Sequence, residues 1–121
     1  MATPTVYTPR RLILPAILTT TNQRYYASPL ASGLGTQIKE ILLTNYSAQS
    51  STATVYLVES GGSPTNNNTI ISAVDIPTTG IPLLFEFDGL YMNAGDEIYA
   101  KASVASRIII HISGVELSWE E

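Results

Sequence analysis

Residues 107–113 read RIIIHIS, and the alternation of their side chains decides how this part of the chain folds. In an extended strand Ile108, Ile110 and Ile112 fall on one face, and the residues between them fall on the other. A period of two with one apolar face is typical of an antiparallel strand that has one side on the core and one in water. The stretch therefore predicts a strand with Ile108 and Ile110 buried.

Two neighbouring stretches repeat this alternation. DEIYAKAS (96–103) places Ile98 and Ala100 on one face, and PLLFEFD (82–88) does the same with Phe85 and Phe87. With two residues of TATVYLVES (52–60), these positions form the predicted core. The side chains predicted to be buried are Ile98, Ala100, Phe85, Phe87, Ile108, Ile110, Val55 and Leu57.

Short runs rich in β-branched and aromatic residues recur along the chain, whereas no window of eleven residues sustains a helical period. The predicted strands are residues 11–20, 36–45, 52–60, 69–76, 82–88, 96–104 and 107–117, with a short eighth strand at 24–28. Turn sequences such as SGGSPTNNN and NAGD separate them. We therefore predict an all-β fold: an antiparallel β-sandwich, jelly-roll-like, with seven or eight strands and an extended N-terminal arm.

The first thirty residues differ from the rest, because four prolines keep them extended and non-helical. Pro15 interrupts LILPAIL (12–18) and removes a ladder hydrogen bond, so this run is either an edge strand or part of an extended arm. We predict an extended arm over residues 1–30 and a β-sandwich domain over residues 31–121.

The net charge of −4 is divided unevenly. Residues 1–39 carry four cations and no acid, a charge of +4, whereas residues 40–121 carry two cations and ten acids, a charge of −8. We expect the basic arm to lie on an acidic surface of its own body, a neighbouring copy or another protein. Four cations are too sparse to favour nucleic acid. The expected interface residues of the arm are Arg10, Arg11, Leu12, Ile13, Leu14, Arg24, Tyr25 and Tyr26.

Composition excludes several classes of protein. The chain has no cysteine, which excludes disulfide frameworks, thiolate zinc sites and cysteine nucleophiles. No apolar run approaches the ~18 residues of a transmembrane helix, and MATPTVYTPRR lacks the apolar centre of a secretory signal, so no membrane partner is expected. Charged residues make up only 13% of the chain, against a usual ~25%, which is common in β-rich assembly proteins.

Asp96 and Glu97, which follow an Asn-Ala-Gly turn, are the first candidate site. Successive residues of a strand point to opposite faces, so the two carboxylates cannot converge on one metal ion or one scissile bond. We interpret Gly95 as the turn residue, Asp96 as an acceptor for local backbone N–H groups, and Glu97 as a solvated strand residue.

The other candidates also lack a chemical context. Catalysis by His111 needs a nucleophile and an orienting acid, and a metal site needs further ligands at suitable spacing. Neither pattern occurs, so we interpret His111 as a packing or interface residue. Glu86 and Asp88 share one strand face, which suits an acid/base pair or a weak calcium site, but no known motif surrounds them. We expect no enzymatic activity, no cofactor and no metal.

Four short motifs occur in a familiar order between residues 36 and 117. They are Thr44-Asn45 at the end of a strand, Gly61-Gly62 after TVYLVES, Ala94-Gly95-Asp96 at a corner, and Ser113-Gly114-Val115-Glu116 near the end. In this order they resemble a group of small virion proteins of tailed bacteriophages. The resemblance leaves residues 1–35 uncovered.

The resemblance implies a structural role in the phage particle, for a protein made in the host cytoplasm. It favours a capsid decoration (cement) protein, a small β-sandwich that ties neighbouring capsid subunits together. Such proteins are often homotrimers, contact the major capsid protein and grip the shell with an N-terminal arm. The alternatives are a tail, neck or fibre component, or a small carbohydrate-binding module that uses Tyr91, Tyr99 and Trp119 as an aromatic platform.

Overall fold

The computed structural model describes residues 4–13, 15–29, 33–78 and 81–119. Within these ranges the chain forms nine strands and one short 3-10 helix, Asn66–Asn68, and it contains no α-helix. The strands are β1 (Pro4–Arg11), β2 (Ala16–Ile17), β3 (Gln23–Ala27), β4 (Gly33–Asn45), β5 (Thr52–Val58), β6 (Thr69–Asp75), β7 (Leu83–Met92), β8 (Glu97–Ala102) and β9 (Ile108–Trp119).

Two antiparallel sheets pack against each other, which confirms the predicted all-β sandwich. Sheet A has the order β1-β9-β4-β7, with β2 also paired to β9, and sheet B has the order β3-β8-β5-β6. Consecutive strands stay in one sheet at the β5–β6 connection, whereas the chain changes sheet at every connection from β6 to β9. In sheet A the last strand, β9, is an inner strand, with β1 and β2 on one side and β4 on the other.

The core lies between the sheets and is built by the predicted alternation. Ile108, Ile110 and Ile112 of β9 are fully buried, and so are Ile98 and Ala100 of β8. These side chains meet those of β4 and β5, which belong to opposite sheets. The other buried core residues are Leu18, Tyr26, Ile38, Ile41, Leu43, Ala53, Val55, Ile71, Ile76, Met92 and Ala102.

Three predicted core residues are only partly buried, and this corrects the prediction. Phe85 and Phe87 pack against the core from β7, an edge strand, so they have strand neighbours on only one side. Leu57 is also partly buried, because β6 begins at Thr69, which pairs with Tyr56, and Leu57 lies beyond that end. All three side chains contact the core, but part of each side chain remains exposed to solvent.

The first thirty residues do not form a free arm where the structure describes them. β1 and β2 pair with β9 in sheet A, and β3 pairs with β8 in sheet B. The physical reason is that β9 would otherwise expose a row of unpaired backbone groups along one side. The predicted domain boundary, between residues 30 and 31, lies outside the described residues.

The apolar run around Pro15 is an edge strand, as one of the two interpretations of the sequence predicted. The Leu12 N–H donates to the Ile112 carbonyl at 2.8 Å and the Leu18 N–H to the Ile108 carbonyl at 2.8 Å. Between these bonds the chain leaves the ladder near Pro15, which cannot donate. Leu18 is fully buried, and Leu12, Ile13 and Ala16 pack against the core of the same chain.

Within the described residues, no helix is long and apolar enough to cross a lipid bilayer.

We expect Ile110→Ala to lower the free energy of unfolding by about 2–5 kcal/mol, because it opens a cavity where the side chain is fully buried. The matched control is Val104→Ala in the turn between β8 and β9, where the side chain is 37% exposed; its cost should stay within about 0.5 kcal/mol. Urea unfolding followed by circular dichroism measures both. Equal losses in the two variants would mean that the buried face of sheet A is assigned wrongly.

Candidate functional site

The corner at Asp96 is structural, as predicted. Gly95 has a φ of 88°, in the left-handed region that favours glycine. Asp96 is 7% exposed and accepts the Asn93 N–H at Oδ2 at 2.9 Å and the Ser60 N–H at Oδ1 at 3.3 Å. The carboxylate therefore closes its own turn and fastens the loop that follows β5.

Glu97 is not the solvated residue that the sequence predicted. Its side chain is only 12% exposed, and Oε2 accepts the Arg24 Nη1 at 2.8 Å. The hydrogen bond to Glu97, together with its charge, raises the pKa of Arg24 above the ordinary value. The correction follows from the β3–β8 pairing, because Arg24 lies opposite Tyr99, two residues from Glu97 on the same face of β8.

A chain of hydroxyl groups joins the two sheets at the same end of the molecule. The Tyr26 hydroxyl donates to Glu116 Oε2 and contacts Thr36 Oγ1 at 2.8 Å, while Ser28 Oγ lies 2.8 Å from the same Thr36 atom. Because each hydroxyl has one proton, Thr36 donates to Tyr26 and Ser28 to Thr36. Tyr26 is 8% exposed, so its side chain bridges the two sheets inside the protein and leaves little surface for the predicted interface.

The other expected interface residues are scattered. Arg11 is exposed in β1, whereas Leu12, Ile13 and Tyr25 are partly buried against the core. Burial raises the pKa of Tyr25 above its ordinary value. Leu14 and the side chain of Arg10 lie outside the described residues.

The candidate chemical groups do not converge. His111 is partly buried on the outer face of sheet A beside Leu42, and Glu86 and Asp88 are exposed on β7. Among the described residues, no group of three histidine or carboxylate side chains is arranged to hold a metal ion. The same part of the chain shows no surface pocket. Two open surfaces of the described residues carry exposed apolar side chains.

The outer face of sheet A is one such surface, which we call the sheet A face. Strand register places Ile17, Ile109 and Thr44 in one row across the sheet, and His111, Leu42 and Leu84 in the next. Ile17 is 51% exposed and Leu84 46% exposed. These two rows form an apolar band across the sheet A face, with Thr44 and His111 as its polar members.

The second surface is a cluster of turns, which we call the loop end. It comprises residues 19–22, 46–51, 76–78, 81–82 and 103–107. Backbone bonds from Tyr46 N–H to the Arg107 carbonyl at 2.9 Å and from Ile76 N–H to the Ser51 carbonyl at 3.2 Å tie three of these turns together.

The loop end is apolar and hydroxyl-rich. Tyr46, Ile81 and Val104 are 50%, 66% and 37% exposed, and the only charged residue in its sequence is Arg107. Sequence reasoning missed these three residues, because it placed Tyr46 and Ile81 just outside the predicted strands and Val104 within the strand predicted over residues 96–104. The available signal was a large apolar side chain inside each turn.

The proposed aromatic platform does not form from Tyr91 and Tyr99. Tyr91 belongs to β7 in sheet A, and its hydroxyl donates to the Leu34 carbonyl, whereas Tyr99 belongs to β8 in sheet B. Two rings on different sheets of a sandwich do not share a surface. The side chain of Trp119 lies outside the described residues.

The motifs behind the bacteriophage resemblance occupy structural positions. Asn45 is buried at the end of β4, where its side chain donates to the Gln49 carbonyl at 2.8 Å. At Gly114 a Cβ would lie 2.3 Å from the Gln37 carbonyl oxygen, so β9 approaches β4 too closely for any side chain. These residues build the fold and form no site.

Comparison with models of protein families, with curated proteins and with solved structures finds no match to this chain. Function is therefore inferred from the two open surfaces and from the motif resemblance.

We expect Asp96→Asn to destabilise the fold by about 1–3 kcal/mol, because an amide NH₂ replaces one oxygen that accepts a backbone N–H and leaves that N–H unpaired. The matched control is Asp88→Asn, an exposed acid of β7, whose cost should stay within about 0.5 kcal/mol. Thermal unfolding of both variants tests this. A neutral effect of Asp96→Asn would show that the carboxylate is not needed to close the corner.

Proposed function

We propose that the chain is a non-enzymatic structural protein of a bacteriophage virion, and that it decorates the capsid and stabilises the head by bridging capsid subunits. The observation that carries this proposal is the loop end, where Tyr46, Ile81 and Val104 are exposed together on an almost uncharged surface. Exposed apolar surface grouped in this way marks a site of contact with another protein.

The chemistry of the loop end suits a permanent protein contact. Burying a charged group costs far more than burying a hydroxyl or an amide that finds a hydrogen-bond partner. The turns present serine, threonine, asparagine and glutamine around the apolar side chains, and Arg107 is already bonded to the Ser50 carbonyl at 2.7 Å. The cores of protein interfaces are depleted of charge in the same way.

The strand order gives further support. With β2 set aside, the order β1-β9-β4-β7 facing β3-β8-β5-β6 supports a jelly-roll connectivity, an architecture common among viral capsid domains. The fold alone does not assign a function. Together with the motif resemblance, the strand order favours a virion role for the loop end.

We expect the wild-type protein to co-sediment with empty capsids of the phage that encodes it, and Tyr46→Ser and Ile81→Ser each to weaken this binding at least about tenfold. The loss follows from removing large apolar side chains from the centre of the contact. Tyr91→Ser is the control, because Tyr91 is exposed to a similar degree, 46%, at the other end of β7. Circular dichroism verifies that each variant is folded.

Failure of the wild-type protein to bind capsids would exclude capsid decoration. Co-sedimentation with purified tails in that case would assign the chain to the tail, neck or fibre instead. Equal binding by all four proteins would mean that the loop end is not the attachment surface.

A further inference from the structure

We propose that the sheet A face is covered by a second copy of this chain, in a two-fold dimer whose axis runs parallel to the strands. The proposal deepens the proposed function and rests on it for the role of the loop end, which the dimer would present twice. Its own support comes from the charges and the apolar rows of the face.

A charged row crosses the sheet A face beside the apolar rows. Strand register places Arg11 of β1 opposite Ser113 of β9, Ser113 opposite Glu40 of β4, and Glu40 opposite Glu86 of β7. β1 and β7 are the two edges of the sheet. The row therefore has a cation at one edge and carboxylates in the opposite half.

These charges have no ion-pair partner within the described part of the chain. Arg24 pairs with Glu97, and Arg107 bonds to the loop that follows β4. By contrast, Arg11, Glu40 and Glu86 are exposed and make no ion pair with any described residue. Each is available to a partner that presents the complementary sign.

The positions of the opposite charges on the sheet A face favour one orientation of the two copies in the dimer. A two-fold axis parallel to the strands brings the outer faces of the two sheets together and reverses the strand order of the second copy. Each row of one copy then lies opposite the same row of the other, and β1 of one copy lies over β7 of the other. Arg11 then faces Glu86 of the second copy, and the same contact occurs twice, as an isologous interface requires. An axis across the strands would instead place β1 over β1 and separate the opposite charges.

The apolar rows match in the same arrangement. β9 of one copy lies over β4 of the other, so Ile109 meets Thr44 of the second copy and His111 meets its Leu42. Packed sheets lie about 10 Å apart, a distance at which side chains of both faces interdigitate. Ile17 and Leu84, half-exposed in the single chain, leave water.

This dimer explains how a small sandwich can bridge capsid subunits. An axis parallel to the strands leaves both loop ends at the same end of the dimer. Two attachment surfaces that face one shell bind with higher avidity than either alone. The dimer takes the place of the trimer that the motif resemblance implies.

The test is the dissociation constant of the full chain, measured by sedimentation equilibrium at several concentrations. We expect wild type to be a reversible dimer, and Arg11→Glu and Glu86→Arg each to raise the dissociation constant at least about tenfold through two like-charge contacts. The double variant Arg11→Glu/Glu86→Arg should dimerise within about threefold of wild type. Lys101→Glu and Glu59→Arg are the controls, because they make the same charge changes away from the face.

Mixing the two single variants provides the most specific result. In a mixed dimer both contacts join an arginine to a glutamate, so the mixture should dimerise although each variant alone does not. A wild-type monomer at all concentrations, a trimer, or dimerisation that charge reversal leaves unchanged would each overturn the proposal. Because capsid binding is measured separately, a dimer that binds no capsid would refute the proposed function alone.

Discussion

The structure depends on the pairing of β9 along both of its sides. β4 holds one side over eleven residue pairs, from Gly33↔Ser118 to Asn45↔Ile108, and β1 and β2 hold the other. Gly114 permits this arrangement, because a side chain there would collide with the Gln37 carbonyl. With both sides paired, Ile108, Ile110 and Ile112 of β9 are fixed against sheet B, and Ile109 and His111 lie on the outer face of sheet A.

Period-two patterns predicted most of this fold, because alternation reports directly which strands have one face on a core. β7, β8 and β9 were found within a few residues of their bounds for that reason. β1 was not predicted, since the prolines of its sequence resemble those of an extended arm. An edge strand tolerates Pro4 and Pro9 because half of its N–H groups need no partner, and no local signal distinguishes the two cases.

Local patterns could not predict which residues the fold groups into the candidate surfaces. Tyr46, Ile81 and Val104 lie in three different turns, and only the tertiary fold brings them to one end. The row that joins Arg11 to Glu86 depends on the register of four strands, and register is set by long-range pairing. The Asp96 corner was predictable, because the positive φ of Gly95 and the hydrogen bond from the Asn93 N–H to Asp96 both lie within four consecutive residues.

The central claim is that the first two strands belong to the sandwich. The most direct test is the free energy of unfolding of a chain that lacks residues 1–18, compared with the full chain in urea. Without β1 and β2, β9 loses the pairing of one side and the core loses Leu18, so we predict loss of cooperative folding or a decrease of at least about 3 kcal/mol, a large part of the stability of a small domain. An unchanged free energy of unfolding would contradict this claim and would mean that residues 1–18 form an arm separate from the sandwich.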